Sequence, residues 1–115
     1  MSKRSLSLLI EDIWESIGKI ERYTEGMTQE NFQSDEKTSD AVVRNLEVIG
    51  EAAGRLPEDF IDRNSEIEWF KIVGLRNRIV HEYFGVDLKI IWQIIMKDLP
   101  TFKKSLKGIR SELKD

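Results

Sequence analysis

Residues 6–20 read LSLLIEDIWESIGKI, and the apolar residues of this stretch recur at steps of three and four positions. This spacing predicts an amphipathic helix that ends near Gly26. No part of the sequence shows the strict alternation that is typical of a β-strand. The pattern therefore predicts an all-α protein. The apolar side of the first helix consists of Leu6, Leu9, Ile10, Ile13, Ile17 and Ile20.

A second helix is predicted after a polar connection over Thr28–Ser34, and either Ser34–Asp35 or Ser39–Asp40 can cap it. Gly50 and Gly54 lie four residues apart, which lets another helix approach closely. That helix belongs either to the same chain or to a second copy. Gly54 then ends the second helix, and the segment from Pro57 predicts a short extra helix. The apolar stripe consists of Val42, Leu46, Ile49 and Ala53.

Two more helices complete the predicted architecture. The third begins after Asn64–Ser65, where Ser65 and Glu68 have the spacing of a capping box, and ends at Gly85. The fourth opens at Asp87, and a kink or restart is expected at Pro100, which lacks an N–H and crowds the preceding turn. Residues 1–115 are thus predicted to form a single domain. Its expected fold is an antiparallel four-helix bundle with a short extra helix and a kinked C-terminal helix.

The composition excludes several classes of protein. With 115 residues, 40% of them apolar, and a net charge of −3, the chain is neither a disordered polyanion nor a generally basic nucleic-acid coat. The absence of cysteine excludes disulfides and thiolate nucleophiles. One histidine cannot form a two-histidine metal site in a single chain, although a symmetric dimer could form one. The sequence shows no export signal or membrane span, so we expect a cytoplasmic protein.

The predicted last helix carries a row of basic residues. A solvated helix face accounts for such a row, and the alternative is a patch that steers phosphate groups toward a nearby site. The residues are Lys103, Lys104, Lys107, Arg110 and Lys114.

Residues 74–85 read GLRNRIVHEYFG and contain the side chains best suited to catalysis. Asn77 and His81 lie one helical turn apart on one face, and Arg76 and Tyr83 lie at the margin of that face. Histidine can move a proton near neutral pH, and arginine can bind a phosphate through two N–H groups. Together they suit phosphodiester chemistry without a metal. The alternative is that His81 is a hydrogen-bonded structural residue at a helix end, which is the commoner role for a lone histidine.

These residues also resemble a known family. The spacing Arg76-x4-His81-x-Tyr83 resembles the Arg-x4-His-x-Tyr motif of the HepT-like toxins, a branch of the HEPN superfamily. The resemblance extends to the second helix, residues 44–57, and to residues 69–75, which lead into the motif. Downstream, Val86-Asp87, Ile91-Trp92 and Asp98-Leu99-Pro100 also fit. The resemblance therefore covers nearly the whole chain.

The resemblance implies a homodimeric helical ribonuclease that uses no metal or other cofactor. In such a dimer, two copies of the motif meet across a cleft. His81 would transfer protons, Arg76 would bind the phosphate and stabilise the transition state, and Asn77 would be an orienting polar group. The expected substrate is RNA (tRNA or mRNA), cleaved through attack of the ribose 2′-hydroxyl on the adjacent phosphate.

The same resemblance implies a partner and a means of control. Members of the family are paired with a minimal nucleotidyltransferase antitoxin that transfers AMP to the motif tyrosine, which is Tyr83 in this chain. The chain would then be the toxin of a type VII-like toxin–antitoxin pair, and AMP at Tyr83 would neutralise it by adding charge and bulk. Two alternatives remain open: a non-catalytic helical adapter that binds a nucleotide or a nucleotidyltransferase, and an inert dimeric scaffold.

Overall fold

A computed structural model describes residues 4–81 and 86–114 of the chain. These residues contain helices and connecting segments and no strand, which confirms the all-α prediction. The helices are α1 (Leu6–Thr24), α2 (Gln29–Ser34), α3 (Glu36–Ala53), α4 (Glu58–Arg63) and α5 (Trp69–His81). They are followed by α6 (Leu88–Gln93), a π-helical turn (Ile94–Asp98) and α7 (Leu99–Lys114).

Side-chain caps mark the N-terminal starts of α1 and α3. Ser5 caps α1, since its hydroxyl accepts a hydrogen bond from the backbone N–H of Leu8 (3.3 Å). After α1 the chain turns at Gly26, whose φ of +76° favours glycine. Asp35 caps α3 by accepting from the backbone N–H of Thr38 (3.1 Å), so the first of the two predicted start points is correct.

The polar stretch Thr28–Ser34 contains a helix, so its prediction as a mere connection was wrong. Thr28 and Asn31 form a reciprocal capping box, in which each side chain accepts from the other's backbone N–H. Tertiary packing favours the helix, because Phe32 is fully buried and its ring centroid lies 5.3 Å from that of Trp92. The single apolar residue of this segment gives no periodic signal in the sequence.

The start of α5 also differs from its prediction. The helix begins at Trp69, and the capping box expected at Ser65 and Glu68 does not start it. The indole N–H of Trp69 donates to the carbonyl of Asn64 (3.1 Å), and its ring lies about 6 Å from both Phe60 and Phe102. These tertiary contacts account for the later start. The predicted end of the helix, Gly85, lies outside the described residues.

Helix α6, the π-helical turn and α7 follow one another without a loop. The predicted kink or restart at Pro100 takes the form of this π turn, in which the N–H of Leu99 donates to the carbonyl of Ile94, five residues back. Because Pro100 has no N–H and crowds the carbonyl of Met96, the regular hydrogen-bond pattern cannot continue through it. A π turn just before the proline takes up this irregularity.

Helix α3 packs between α1 and α5, and α1 also packs against α7. The apolar stripes predicted for α1 and α3 line the core between them. Two of the basic residues of α7 join it to α1, since Lys103 pairs with Glu21 (2.8 Å) and Arg110 with Glu11 (2.8 Å). Both cations also lie over the ring of Trp14. None of the described helices is long and apolar enough to cross a bilayer.

Candidate active site

The site is built where α5 crosses α3. A β-carbon placed on Gly50 of α3 would lie 2.1 Å from the β-carbon of Arg76 and 3.1 Å from the carbonyl oxygen of Ile72. No side chain fits in this space, so the glycine is what allows the two helices to touch. The helix that approaches Gly50 is therefore α5 of the same chain. This crossing sets the position of the Arg76 backbone.

Two polar contacts orient the Arg76 guanidinium. Its Nη2 lies 2.9 Å from Oε2 of Glu51, and its Nη1 donates to Oδ1 of Asn77 at 3.0 Å. Its Nε is buried and has no hydrogen-bond partner among the described residues. The other carboxylate oxygen of Glu51 accepts from Arg55 (3.1 Å). Arg76 is thus a half-buried cation held from two sides, with 31% of its side chain exposed.

An open cavity of about 370 Å³ lies beside this crossing. Ion pairs span its surface: Arg4 with Asp12 (2.6 Å) and Arg44 with Glu47 (3.3 Å), in addition to those of Glu51. The hydrogen bond to Asp12 raises the pKa of Arg4. The charged lining residues are Arg4, Arg44, Arg55 and Arg76 together with Asp12, Glu47 and Glu51.

The structure places the predicted residues Arg76, Asn77 and His81 on the last two turns of α5. Asn77 and His81 are both exposed and share a face, and the side-chain oxygen of Asn77 accepts the hydrogen bond from Arg76. Arg76 and His81 are five residues apart, so their directions from the helix axis differ by about 140°. Tyr83, the fourth predicted residue, lies outside the described residues.

Gly50 and Glu51 are functional candidates that the sequence left unassigned. The sequence indicated Gly50 only as a point of close helix approach and gave Glu51 no role. Nothing in a single sequence pairs Glu51 with Arg76, because that contact depends on the crossing of two helices. The contact between Glu51 and Arg76 is seen only once the positions of α3 and α5 are known.

Comparison with known proteins identifies the family. The model of the family described as "Ribonuclease HepT-like" matches residues 13–109. The chain belongs to this HepT-like family. It is 40% identical to a "probable ribonuclease HepT" of Thermococcus cleftensis, over 94% of this chain and 98% of the relative. It is 38% identical to a "putative RNase" of Methanocaldococcus jannaschii, over 98% and 93%. No solved structure matches significantly.

Membership of the HepT-like family confirms the resemblance seen in the sequence. The residues matched by the family model include all of α3 and α5. Gly50, Glu51 and Arg76 therefore all lie within the matched region. Arg76 and His81 also lie within the matched residues.

Proposed function

We propose that this HepT-like chain is a metal-independent endoribonuclease whose catalytic residues are Arg76 and His81. The observation that carries the proposal is the half-buried Arg76 guanidinium, fixed by Glu51 and Asn77, on the same helix as an exposed histidine. A fixed guanidinium can stabilise the charge that develops on phosphate oxygens without reorganising during the reaction. An exposed imidazole can reach a substrate and exchange protons with it.

The proposed reaction uses the nucleophile that RNA itself carries. A general base removes the proton of a ribose 2′-hydroxyl, whose oxygen attacks the adjacent phosphorus. The bond from phosphorus to the 5′-oxygen breaks, and that oxygen takes up a proton. The products are a 2′,3′-cyclic phosphate and a 5′-hydroxyl. His81 moves the protons, Arg76 binds the non-bridging phosphate oxygens, and Asn77 keeps the guanidinium oriented.

We further propose that the active unit is a homodimer in which two copies of the motif share one cleft. Arg76 and His81 diverge around the axis of α5 by about 140°, which makes it hard for both to meet one phosphate in a single chain. A two-fold axis beside α5 would instead bring Arg76 of one chain toward the partner's histidine. It would also supply two imidazoles, one for each proton transfer.

We also propose that the chain is a toxin, with tRNA or mRNA as its substrate and a minimal nucleotidyltransferase as its antitoxin. The antitoxin would form a bond between the Tyr83 oxygen and the α-phosphorus of ATP, releasing pyrophosphate. Tyr83 follows His81 by two residues, so the attached AMP would place negative charge beside the catalytic residue and repel RNA.

Substrate analogues test the proposed reaction. We expect an RNA with a single 2′-O-methyl group to resist cleavage at the modified linkage and to be cut at neighbouring ones. Each product should carry a cyclic phosphate, detected by mass spectrometry. Cleavage at the methylated linkage would contradict the proposed nucleophile, because the methyl group removes it.

Intact mass tests the proposed modification. Incubation with the nucleotidyltransferase and ATP should add AMP to the wild-type chain and leave Tyr83→Phe unchanged. The modified wild type should lose its cleavage activity. Addition of AMP to Tyr83→Phe would show that another residue is the target.

A further inference from the structure

Glu51 is the carboxylate that joins the candidate catalytic arginine to a second cation. One of its oxygens lies 2.9 Å from Arg76 and the other 3.1 Å from Arg55. Arg55 follows Glu51 by four residues and lies in the turn directly after α3, from which its guanidinium holds the carboxylate in place. Because both oxygens are engaged, the orientation of Glu51 is fixed at the same time as that of Arg76.

Gly50 and Glu51 act on different parts of the same arginine. Gly50 admits the β-carbon of Arg76, which fixes where the side chain begins. Glu51 pairs with Nη2, which fixes where the side chain ends. Two consecutive residues of α3 thus define both ends of a side chain that is otherwise long and flexible.

The geometry leaves donors for a substrate. A guanidinium has five N–H groups; Nη1 of Arg76 donates one of them to Asn77, and Nη2 forms the ion pair with Glu51. Each terminal nitrogen carries two N–H groups, so these two contacts leave donors on both nitrogens that can bind a phosphate in the bidentate manner. The carboxylate also offsets the cost of partly burying the cation when no phosphate is bound.

We propose that Glu51 is the positioning residue of Arg76, holding the guanidinium against α3 in the orientation that binds the scissile phosphate. This assignment rests on the proposed ribonuclease function. Glu51 acts on the reaction through Arg76, so its loss should affect the rate of the bound complex more than RNA binding. A small displacement of a catalytic group lowers rates by about tenfold to a hundredfold.

The test compares Glu51→Gln with Asp59→Asn. Asp59 pairs with Arg63 one turn later on α4, which repeats the spacing of Glu51 and Arg55 without a contact to Arg76. Both variants replace a carboxylate by its amide, so their changes in net charge are equal. We expect kcat to fall about tenfold to a hundredfold for Glu51→Gln with little change in KM or Tm, and to stay unchanged for Asp59→Asn.

A signal that does not depend on activity completes the test. In the wild type, ¹⁵N NMR of the arginine side chains should show restricted rotation of the Arg76 guanidinium. In Glu51→Gln the rotation should become free. An unchanged kcat or an unchanged NMR signal in Glu51→Gln would overturn the positioning role. A fall in kcat that is fully explained by a smaller folded fraction of the variant would overturn it as well. If the wild type cleaves no RNA, the ribonuclease proposal fails, and NMR still decides whether Glu51 orients Arg76.

Discussion

Arg76 has less freedom than the other arginines around the cavity. Its side chain is 31% exposed, compared with 46% for Arg4, 63% for Arg55 and 70% for Arg44. It is also the one among them that lies on α5 with Asn77 and His81. Partial burial and two fixed contacts distinguish it from an ordinary surface cation, whose ion pairs contribute little.

A lysine at position 76 tests whether the planar guanidinium is needed. We expect Arg76→Lys to fold normally and to keep its attraction to Glu51, while kcat/KM falls by roughly a hundredfold or more. The lysine retains the charge but cannot bind a phosphate through two parallel N–H groups. Arg63→Lys on α4 is the matched control and should keep full activity. Comparable cleavage by both variants would show that charge alone suffices at position 76.

The sequence could predict only those parts of the candidate site that lie close together in the chain. Arg76, Asn77 and His81 lie close together in the chain, so helical spacing places them on adjacent turns of α5. Glu51 could not be assigned in this way, because its contact with Arg76 arises only when α3 and α5 cross. The close approach at Gly50 was predicted, but the helix that makes it was left open.

At the scale of elements, the crossing of α3 and α5 is the contact that sets the site. Gly50→Ala would place a β-carbon 2.1 Å from that of Arg76, so the helices must separate. We expect this variant to lose about 1–3 kcal/mol of unfolding free energy and most of its cleavage activity. The measurement is urea denaturation followed by circular dichroism, together with kcat on the folded variant.

Gly108→Ala is the control for this crossing. Gly108 lies within α7, and a β-carbon there meets nothing within 4 Å. Alanine should therefore raise the unfolding free energy by about 0.5–1 kcal/mol, since it reduces the freedom of the unfolded chain. Equal stability of the Gly50 and Gly108 variants would argue against a tight crossing.

The cap of α3 gives a prediction about pH. Hydrogen bonds from the backbone N–H and then the hydroxyl of Thr38 hold the pKa of Asp35 below its ordinary value. The cap therefore stabilises the fold above about pH 4, where the carboxyl of the unfolded chain is also ionised, and this stabilisation is lost as pH falls through the lower pKa of the folded state. Asp35→Ala should lower Tm at pH 7, and the difference from the wild type should shrink toward pH 2.

The variant Asp35→Asn distinguishes the stability that comes from the helix cap itself from the stability that depends on the ionisation of Asp35. Asparagine caps helices about as well as aspartate but carries no proton that titrates in this range. Its Tm should therefore depend less on pH than that of the wild type between pH 5 and pH 2. An identical acid dependence in both chains would show that other carboxylates determine it.

The elements that the sequence mispredicted share one physical reason. The helix α2 depends on the burial of Phe32 against Trp92, and the start of α5 depends on the contacts of Trp69. In both places long-range packing outweighs local pattern. The main stripes of α1 and α3 were predictable because their apolar residues recur at helical spacing over several turns.

At the scale of the whole molecule, the basic face of α7 is partly structural. Lys103 and Arg110 pair with α1 and lie over Trp14, so these two cations help to join the first and last helices. They are therefore less suited than Arg76 to steering phosphate groups. The candidate site lies instead at the crossing of α3 and α5.

Complementation tests whether the site is shared between two chains. We expect Arg76→Ala and His81→Ala each to be inactive alone and to regain part of the activity after refolding together. In the mixed dimer the remaining arginine and histidine belong to different chains, as the proposed cleft requires. Mixed dimers that form, as shown by mass spectrometry of differently labelled chains, but stay inactive would contradict a shared site.

The most direct measurement is RNA cleavage in EDTA by the unmodified wild type, with His81→Ala in parallel. Intact mass must first show that neither chain carries AMP, and circular dichroism that both are folded. We predict that the wild type cleaves RNA without a metal and that His81→Ala does not, with little change in its Tm. Absence of cleavage by the folded wild type on both tRNA and mRNA would contradict the proposed ribonuclease activity and favour a binding module.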